Sequence, residues 1–245
     1  MDYRWHWGVL LQPVATGEAA TYFDWLLSGL VNTVELTLLA FSLALTIGTI
    51  FGVMRTLPSG AARALSAAYV SMFRGVPLIV QFFIWFFVVP ELLPIRAGDW
   101  LKSLPSHAQF LIVSVVSLGV YTGSRICEQV RAGILARPVG QFHAAFALGL
   151  TRAQAYRHVL LPVTFRTILG PLTSEFLIIS KNSAVASTIG LLELSGEARQ
   201  LVDYTAQPYE SFICVTLAYV GLNFAILRGM RWVRRRTALP GTIGS

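Results

Sequence analysis

Charge is scarce in this chain. Asp, Glu, Lys and Arg make up 13% of its 245 residues, against 55% hydrophobic ones, which is roughly half the charged share of about 25% in an ordinary soluble domain. That shortage excludes a water-facing globular surface. Cysteine is nearly missing: Cys127 and Cys214 both lie in apolar runs, with no CxxC pair or His-rich neighbourhood beside them. Metal and redox chemistry are therefore not expected, and both read as small packing residues. There is no GxxxxGKS/T loop, GxSxG elbow, HExxH pair or carboxylate cluster, so no catalytic apparatus, cofactor site or metal site is expected. Driving energy must then come from a partner. Met1 to Glu18 lacks a basic start leading into an unbroken apolar core, so the first span is expected to act as the insertion signal. No internal duplication, low-complexity tract or soluble domain interrupts the chain.

What is present is long apolar sequence. Five segments reach the roughly 20 residues needed to cross about 30 Å of hydrocarbon: Leu27 to Met54, Leu65 to Val89, Phe110 to Ile134, Val163 to Ile189 and Phe212 to Trp232. The expected fold is thus an all-α membrane protein of about five transmembrane helices. Arg55 and Arg63 lie in the first connection, Arg137, Arg152 and Arg157 in the third, and Arg231, Arg234, Arg235 and Arg236 around the end of the last span, whereas the intervening loops are neutral or acidic. The positive-inside bias places the C-terminus in the cytoplasm and, with an odd number of spans, the N-terminus outside. The net charge of +7 is accounted for by topology. Its arginines are dispersed rather than gathered with stacking aromatics, which argues against nucleic acid as a partner. Trp5, Trp7, Tyr22, Phe23 and Trp25 fit an interfacial aromatic belt before the first span.

Ionised groups inside a bilayer cost at least ~2.5–3.5 kcal/mol unless they face water or a partner. Arg74 lies about 15 Å into the second span, and Arg74-Gly75-Val76-Pro77 breaks the backbone ladder at Pro77. Arg125, Glu128 and Arg131 follow one another at three-residue steps near the end of the third span, so neighbours meet on one helix face. Either they form a structural ion ladder, or the surplus arginine, with Arg125 the deeper of the two, faces a permeation path. The fourth span carries Pro171, Glu175 and then Lys181, Asn182 and Ser183, a composition expected where a helix lines a cavity. Lys181 either snorkels or pairs with Glu175, or meets a solute carboxylate. Glu35 is read as a partner for one of these cations.

Between spans three and four runs Gly140 to Pro162, GQFHAAFALGLTRAQAYRHVLLP, too polar to cross a bilayer and too regular to be slack. It reads as two short helices about a glycine turn, a surface for something outside the membrane to grip. With His143-Ala144-Ala145, then Gly149, then Val159-x-Leu161-Pro162, it resembles the coupling loop of bacterial ABC import permeases. His143 stands where that loop usually has Glu, so docking by shape is retained and a salt bridge is not. Arg74-Gly75-x-Pro77, Glu128-x-x-Arg131-x-Gly133-Ile134, Gly140-Gln141 and Lys181-Asn182-Ser183 resemble the polar amino acid permeases. VPLIVQFF, PELLP, CEQVRAGI and KNSAVASTIGL narrow the likeness to the membrane subunits of glutamate/aspartate importers.

The resemblance implies a type I ABC importer permease fold, multi-pass in the bacterial inner membrane. It assigns residues 1–26 to a periplasmic segment, 27–236 to the permease domain with a cytoplasmic coupling loop at 137–162, and 237–245 to a cytoplasmic tail. The implied partners are a dimer of ABC ATPase subunits, a second and related permease chain forming a heterodimer, a periplasmic amino-acid-binding protein, the bilayer and a polar or acidic amino acid. On this reading the chain is a transport subunit and not an enzyme. Gly140, Gln141, His143, Ala144, Ala145, Gly149, Leu150, Arg152 and Pro162 form the ATPase-coupling surface, with Ala144, Ala145, Ala147, Leu148 and Gly149 as its apolar end and Arg152 and Arg157 at its rim. Arg74, Arg125, Lys181, Asn182 and Ser183 line the substrate path, and Glu128, Arg131 and Glu175 supply structural ion pairs. Asn182 replaces the Asp of many relatives, which suits an acidic solute because a carboxylate there would repel it. The alternative is an ion-gradient-driven carrier or channel for a small anionic solute, which leaves the polar hairpin unexplained.

Overall fold

The computed structural model describes residues 3–237, of Val139 the backbone alone. The tail expected over 237–245 lies, apart from Thr237, outside the described residues. Eleven α-helices follow in order: α1 Tyr22–Met54, α2 Gly60–Gly75, α3 Leu78–Phe83, α4 Val89–Leu92, α5 Ile95–Ser103, α6 Ser106–Leu135, α7 Val139–Ala147, α8 Arg152–Ala155, α9 Leu161–Asn182, α10 Leu194–Thr205 and α11 Pro208–Thr237. Turns of 3₁₀ helix cover Trp7–Leu11 and Ser183–Ile189. No strand occurs among the described residues, and Pro13 and Thr21 make an isolated antiparallel bridge.

α1, α6 and α11 are each long and apolar enough to cross a membrane, and the total reaches five if Gly60–Leu92 and Arg152–Thr205 each count as one broken span. The expected second span is therefore not continuous. α2 ends at Gly75, Val76 is extended at φ −107° and ψ 131°, and Pro77 occupies the N-cap of α3. Proline has no N–H to donate, and the residue before it is steered out of the helical region. The fourth span departs differently, because helix already begins at Arg152 and passes into α9 through a π-turn at Tyr156–Leu160.

A second π-turn covers Ile84–Val88 between α3 and α4, and both have the same local cause. Val89 N–H reaches back to Ile84 O before Pro90, and Leu161 N–H reaches back to Tyr156 O before Pro162. A proline ring collides with the carbonyl four residues earlier, and one extra residue in the turn relieves the collision without ending the helix.

The chain divides into two compact units. One comprises residues 3–40, Pro77–Leu118 and Ile178–Phe224. Its apolar core joins Val9 and Val14 to Tyr22, Trp25 and Leu26 of α1, Leu194, Ala198 and Leu201 of α10, and Val215 of α11. The start of α10 is held by polar groups: Glu193 accepts from Gly196 N–H at 2.9 Å and from the Tyr219 hydroxyl at 2.6 Å, while Thr33 Oγ1 accepts from Leu194 N–H at 3.1 Å. These bonds satisfy donors that a helix start leaves open. Tyr3 packs edge to face on Trp5 and on Tyr209, and its hydroxyl pairs with Glu210 and Gln207.

The other unit comprises Phe41–Val76, Gly119–Leu177 and residues 225–237. Here α1 and α6 approach closely along small residues. A Cβ at Gly48 would lie 2.7 Å from Ile126, and one at Gly52 2.7 Å from Val130, so only glycine lets the backbones meet there. α2 completes the unit through Tyr69, Val70 and Cys127, with the Tyr69 hydroxyl donating to Val120 O at 2.7 Å and the Ser66 hydroxyl to Phe51 O at 2.8 Å. Cys127 is a free thiol in this core.

Candidate functional site

The polar hairpin is built by local chemistry at its turn. α7 ends in a left-handed residue, Gly149 at φ +77°, with Leu150 N–H bonded to Ala145 O at 3.1 Å and Gly149 N–H to Phe146 O at 2.9 Å. These are the two bonds of a Schellman ending, and a side chain at the left-handed position would strain it. Two residues on, Thr151 and Gln154 form a capping box: Thr151 Oγ1 accepts from Gln154 N–H, and Gln154 Oε1 accepts from Thr151 N–H at 2.8 Å. α7 therefore stops and α8 starts at defined residues.

Tyr156 ties the hairpin to the rest of its unit. The ring is buried, meets Phe142 edge to face at 5.9 Å, and its hydroxyl lies 2.9 Å from Thr56 Oγ1 just beyond α1. Phe142 in turn packs on Phe146 at 4.7 Å. Ala145, Ala155 and Leu160 are buried as well, so Ala145 is turned inward instead of facing out. The outer surface is formed by Leu148, 81% exposed, and Phe146, 39% exposed. Gly140, Gln141, His143, Ala144, Ala147, Gly149, Arg152, Arg157 and Pro162 are also exposed, and Leu150 is half-buried. The arrangement presents Leu148 and Phe146 as an apolar knuckle on a base bonded by the α7 ending, the capping box and Tyr156.

Polar residues of the helices are distributed as follows. Glu175 of α9 is almost fully buried and takes both its bonds within one unit, from Arg125 Nε at 2.8 Å and Gln129 Nε2 at 2.8 Å. Glu128 accepts from Arg131 Nε at 2.9 Å and from Arg55 Nη1 at 3.0 Å. The three-residue ladder on α6 thus splits, because Arg125 turns to α9 while Glu128 serves Arg131 and Arg55. Arg74 is exposed in the last turn of α2. Lys181, Asn182 and Ser183 belong to the other unit, at the change from α9 to 3₁₀ helix, where Lys181 is exposed, Asn182 half-buried and Ser183 buried with its hydroxyl donating to Ser180 O at 2.8 Å. Glu35 is exposed on α1. Among the described residues no group of three or more His, Cys, Asp or Glu is placed to hold a metal ion.

Four participants escaped the reading of the sequence: Gln129, Arg55, Thr56 and Tyr156. Their partners lie 46, 73, 100 and 100 residues away in sequence, beyond the reach of any helical period. The glycine seam was legible in principle, since Gly48-x-x-x-Gly52 and Gly119-x-x-x-Gly123 are close-packing motifs.

Several long apolar helices, ion pairs between them and one bonded polar hairpin define a polytopic membrane component. The comparisons agree with this class. The chain belongs to the family of binding-protein-dependent transport system inner membrane components, whose sequence model matches residues 44–239, and it is accordingly a multi-pass inner-membrane protein. It is similar to the glutamate/aspartate import permease protein GltJ of Escherichia coli, 47% identical over 245 residues, covering 100% of this chain and 99% of the relative. It is 27% identical to the probable amino-acid ABC transporter permease protein PatM of Vibrio harveyi, covering 86% and 91%. Among solved structures, an amino acid ABC transporter aligns with TM-score 0.71 at 27% identity over 88% of this chain and 95% of that one. The methionine ABC transporter MetNI in an inward-facing form aligns with TM-score 0.72 at 22% identity over 88% and 97%, a likeness of fold.

Proposed function

We propose that this chain is a permease subunit of an ATP-driven importer for glutamate and aspartate. The observation that carries the proposal is the 47% identity to a glutamate/aspartate import permease along the entire chain. The bonded hairpin supports it. Leu148 and Phe146 offer an apolar knuckle of the kind that seats in a groove on another protein, and an ATPase dimer is the partner on this reading. Closure of that dimer on ATP would shift the hairpin and, through the continuous helix from Arg152 into α9, bias the spans between inward and outward access. A binding protein delivers the amino acid from the periplasm, and a related permease chain completes the pathway as a heterodimer.

Orientation follows from the arginines: hairpin and C-terminus in the cytoplasm, N-terminus in the periplasm. Lys181 and Asn182 line the path and favour an acidic solute, whereas Ser183 is buried with its hydroxyl on Ser180 O. Arg125 is committed to Glu175 and offers no free binding group, and Arg74 is kept as the candidate for a second counter-charge. The test is uptake of labelled glutamate and lysine by vesicles holding the assembled transporter, wild type against Asn182→Asp. The expected outcome is a fall of roughly tenfold in glutamate uptake, the equivalent of about 1.4 kcal/mol of added repulsion. Unchanged glutamate uptake would reject charge selection by this residue.

A further inference from the structure

One arginine cluster is assigned neither to the solute path nor to the coupling hairpin. Arg55 and Arg63, with Ala64, Ala67 and Arg131, line an open cavity of ≈ 340 Å³ in a single unit. Arg55 follows the end of α1, Arg63 lies in the first turn of α2, and Arg131 is one turn from the end of α6. Because α1 and α6 are each long and apolar enough to span a membrane, the cavity sits where hydrocarbon gives way to water. Glu128 neutralises part of the cluster, bonded to Arg131 at 2.9 Å and to Arg55 at 3.0 Å. Arg63 pairs with no carboxylate among the described residues. Three guanidiniums thus share one carboxylate, and an open, positively charged pocket remains.

We infer that this pocket binds the phosphate group of an anionic phospholipid headgroup. Guanidinium forks match phosphate oxygens, and charge-assisted bonds of this type are about twice as strong as neutral ones. The shared chemistry, an oxyanion of phosphorus, does not by itself separate a lipid from dissolved phosphate. The surface beside the cavity does. Leu65 and Met72 of α2 are 59% and 58% exposed, and with exposed Ala68 between them they form a stripe at steps of three and four residues, on one helix face. That stripe starts next to the lining residue Ala64 and runs away from the helix start, the course an acyl chain would take from a headgroup held by Arg63. A lipid held there would lay its own acyl chain along the stripe, which soluble phosphate cannot do. On the orientation proposed above the lipid comes from the cytoplasmic leaflet, where anionic headgroups attract basic segments by about 1 kcal/mol per residue.

The test uses the full chain in non-ionic detergent, titrated with phosphatidylglycerol, phosphatidylcholine or inorganic phosphate, with thermal melting as the readout. Phosphatidylglycerol is expected to raise the melting temperature at a half-saturating concentration about tenfold below that of phosphatidylcholine. Arg63→Gln should lose most of that preference while melting like wild type without lipid, and Arg63→Lys should restore part of it. Equal responses to the two lipids, or an unaltered preference in Arg63→Gln, would overturn the inference. Inorganic phosphate matching phosphatidylglycerol at equal concentration would overturn it in favour of a soluble anion. Loss of the lipid response once the ATPase subunit is bound would reassign the pocket to a protein partner. Amino-acid uptake does not enter the readout, so the lipid inference and the transport proposal fail separately.

Discussion

Glu175 shows what one residue does in lipid. Its side chain is 4% exposed and holds both Arg125 and Gln129, so removing it leaves a cation and an amide facing an empty buried position. Breaking a buried pair costs ~3–5 kcal/mol; Arg125 retains 36% exposure, which lowers the expectation to about 2–3 kcal/mol. Melting of the purified chain should show Glu175→Ala strongly destabilised and Glu175→Gln less so, because the amide still accepts one bond. A melting temperature for Glu175→Ala equal to wild type would mean that Arg125 finds compensation from water. The sequence reading placed Glu175, Glu128 and Arg131 among structural ion pairs and offered Lys181 as one partner for Glu175, whose bonds come instead from Arg125 and Gln129. Spacing on one helix restricts Glu128 to Arg125 or Arg131; it does not say that Arg55 completes Glu128 or that Arg125 reaches a helix fifty residues on.

At the scale of the element, the hairpin depends on two positions that act differently. A Cβ at Gly149 would touch nothing within 4 Å, so the cost of substitution is backbone strain alone, about 1–2 kcal/mol for an ordinary L residue in the left-handed region. In the assembled transporter Gly149→Val is expected to lower substrate-stimulated ATP hydrolysis several-fold, whereas Gly149→Asn, tolerated at this angle, should stay near wild type. Tyr156 acts through its hydroxyl on Thr56. Tyr156→Phe removes about 1 kcal/mol and should speed amide exchange over residues 140–155 about fivefold, read by mass spectrometry, with membrane insertion unchanged. The glycine turn at Gly149 was legible beforehand because turn chemistry is local, and the Thr151–Gln154 cap, equally local, was found only in the structure. Tyr156 looked like one aromatic among many, since its partner lies beyond another helix.

For the whole molecule the deciding property is which face of the membrane the hairpin occupies. In a thiol-free background, Arg152→Cys should react with an impermeant maleimide in inside-out vesicles and resist it in intact cells. Labelling from outside intact cells would reverse the orientation and remove the ATPase from reach of the knuckle.

Class, approximate span positions and the polar hairpin could be taken from residue order alone, because hydropathy over 20 residues, proline's missing donor and glycine's left-handed freedom are properties of neighbours in the chain. Folding was needed to show that Ala145 faces inward, that Arg125 belongs to Glu175 and that Arg55 completes Glu128. Each of those depends on how helices rotate against one another. Those are contacts between residues far apart in sequence, and no local period encodes them.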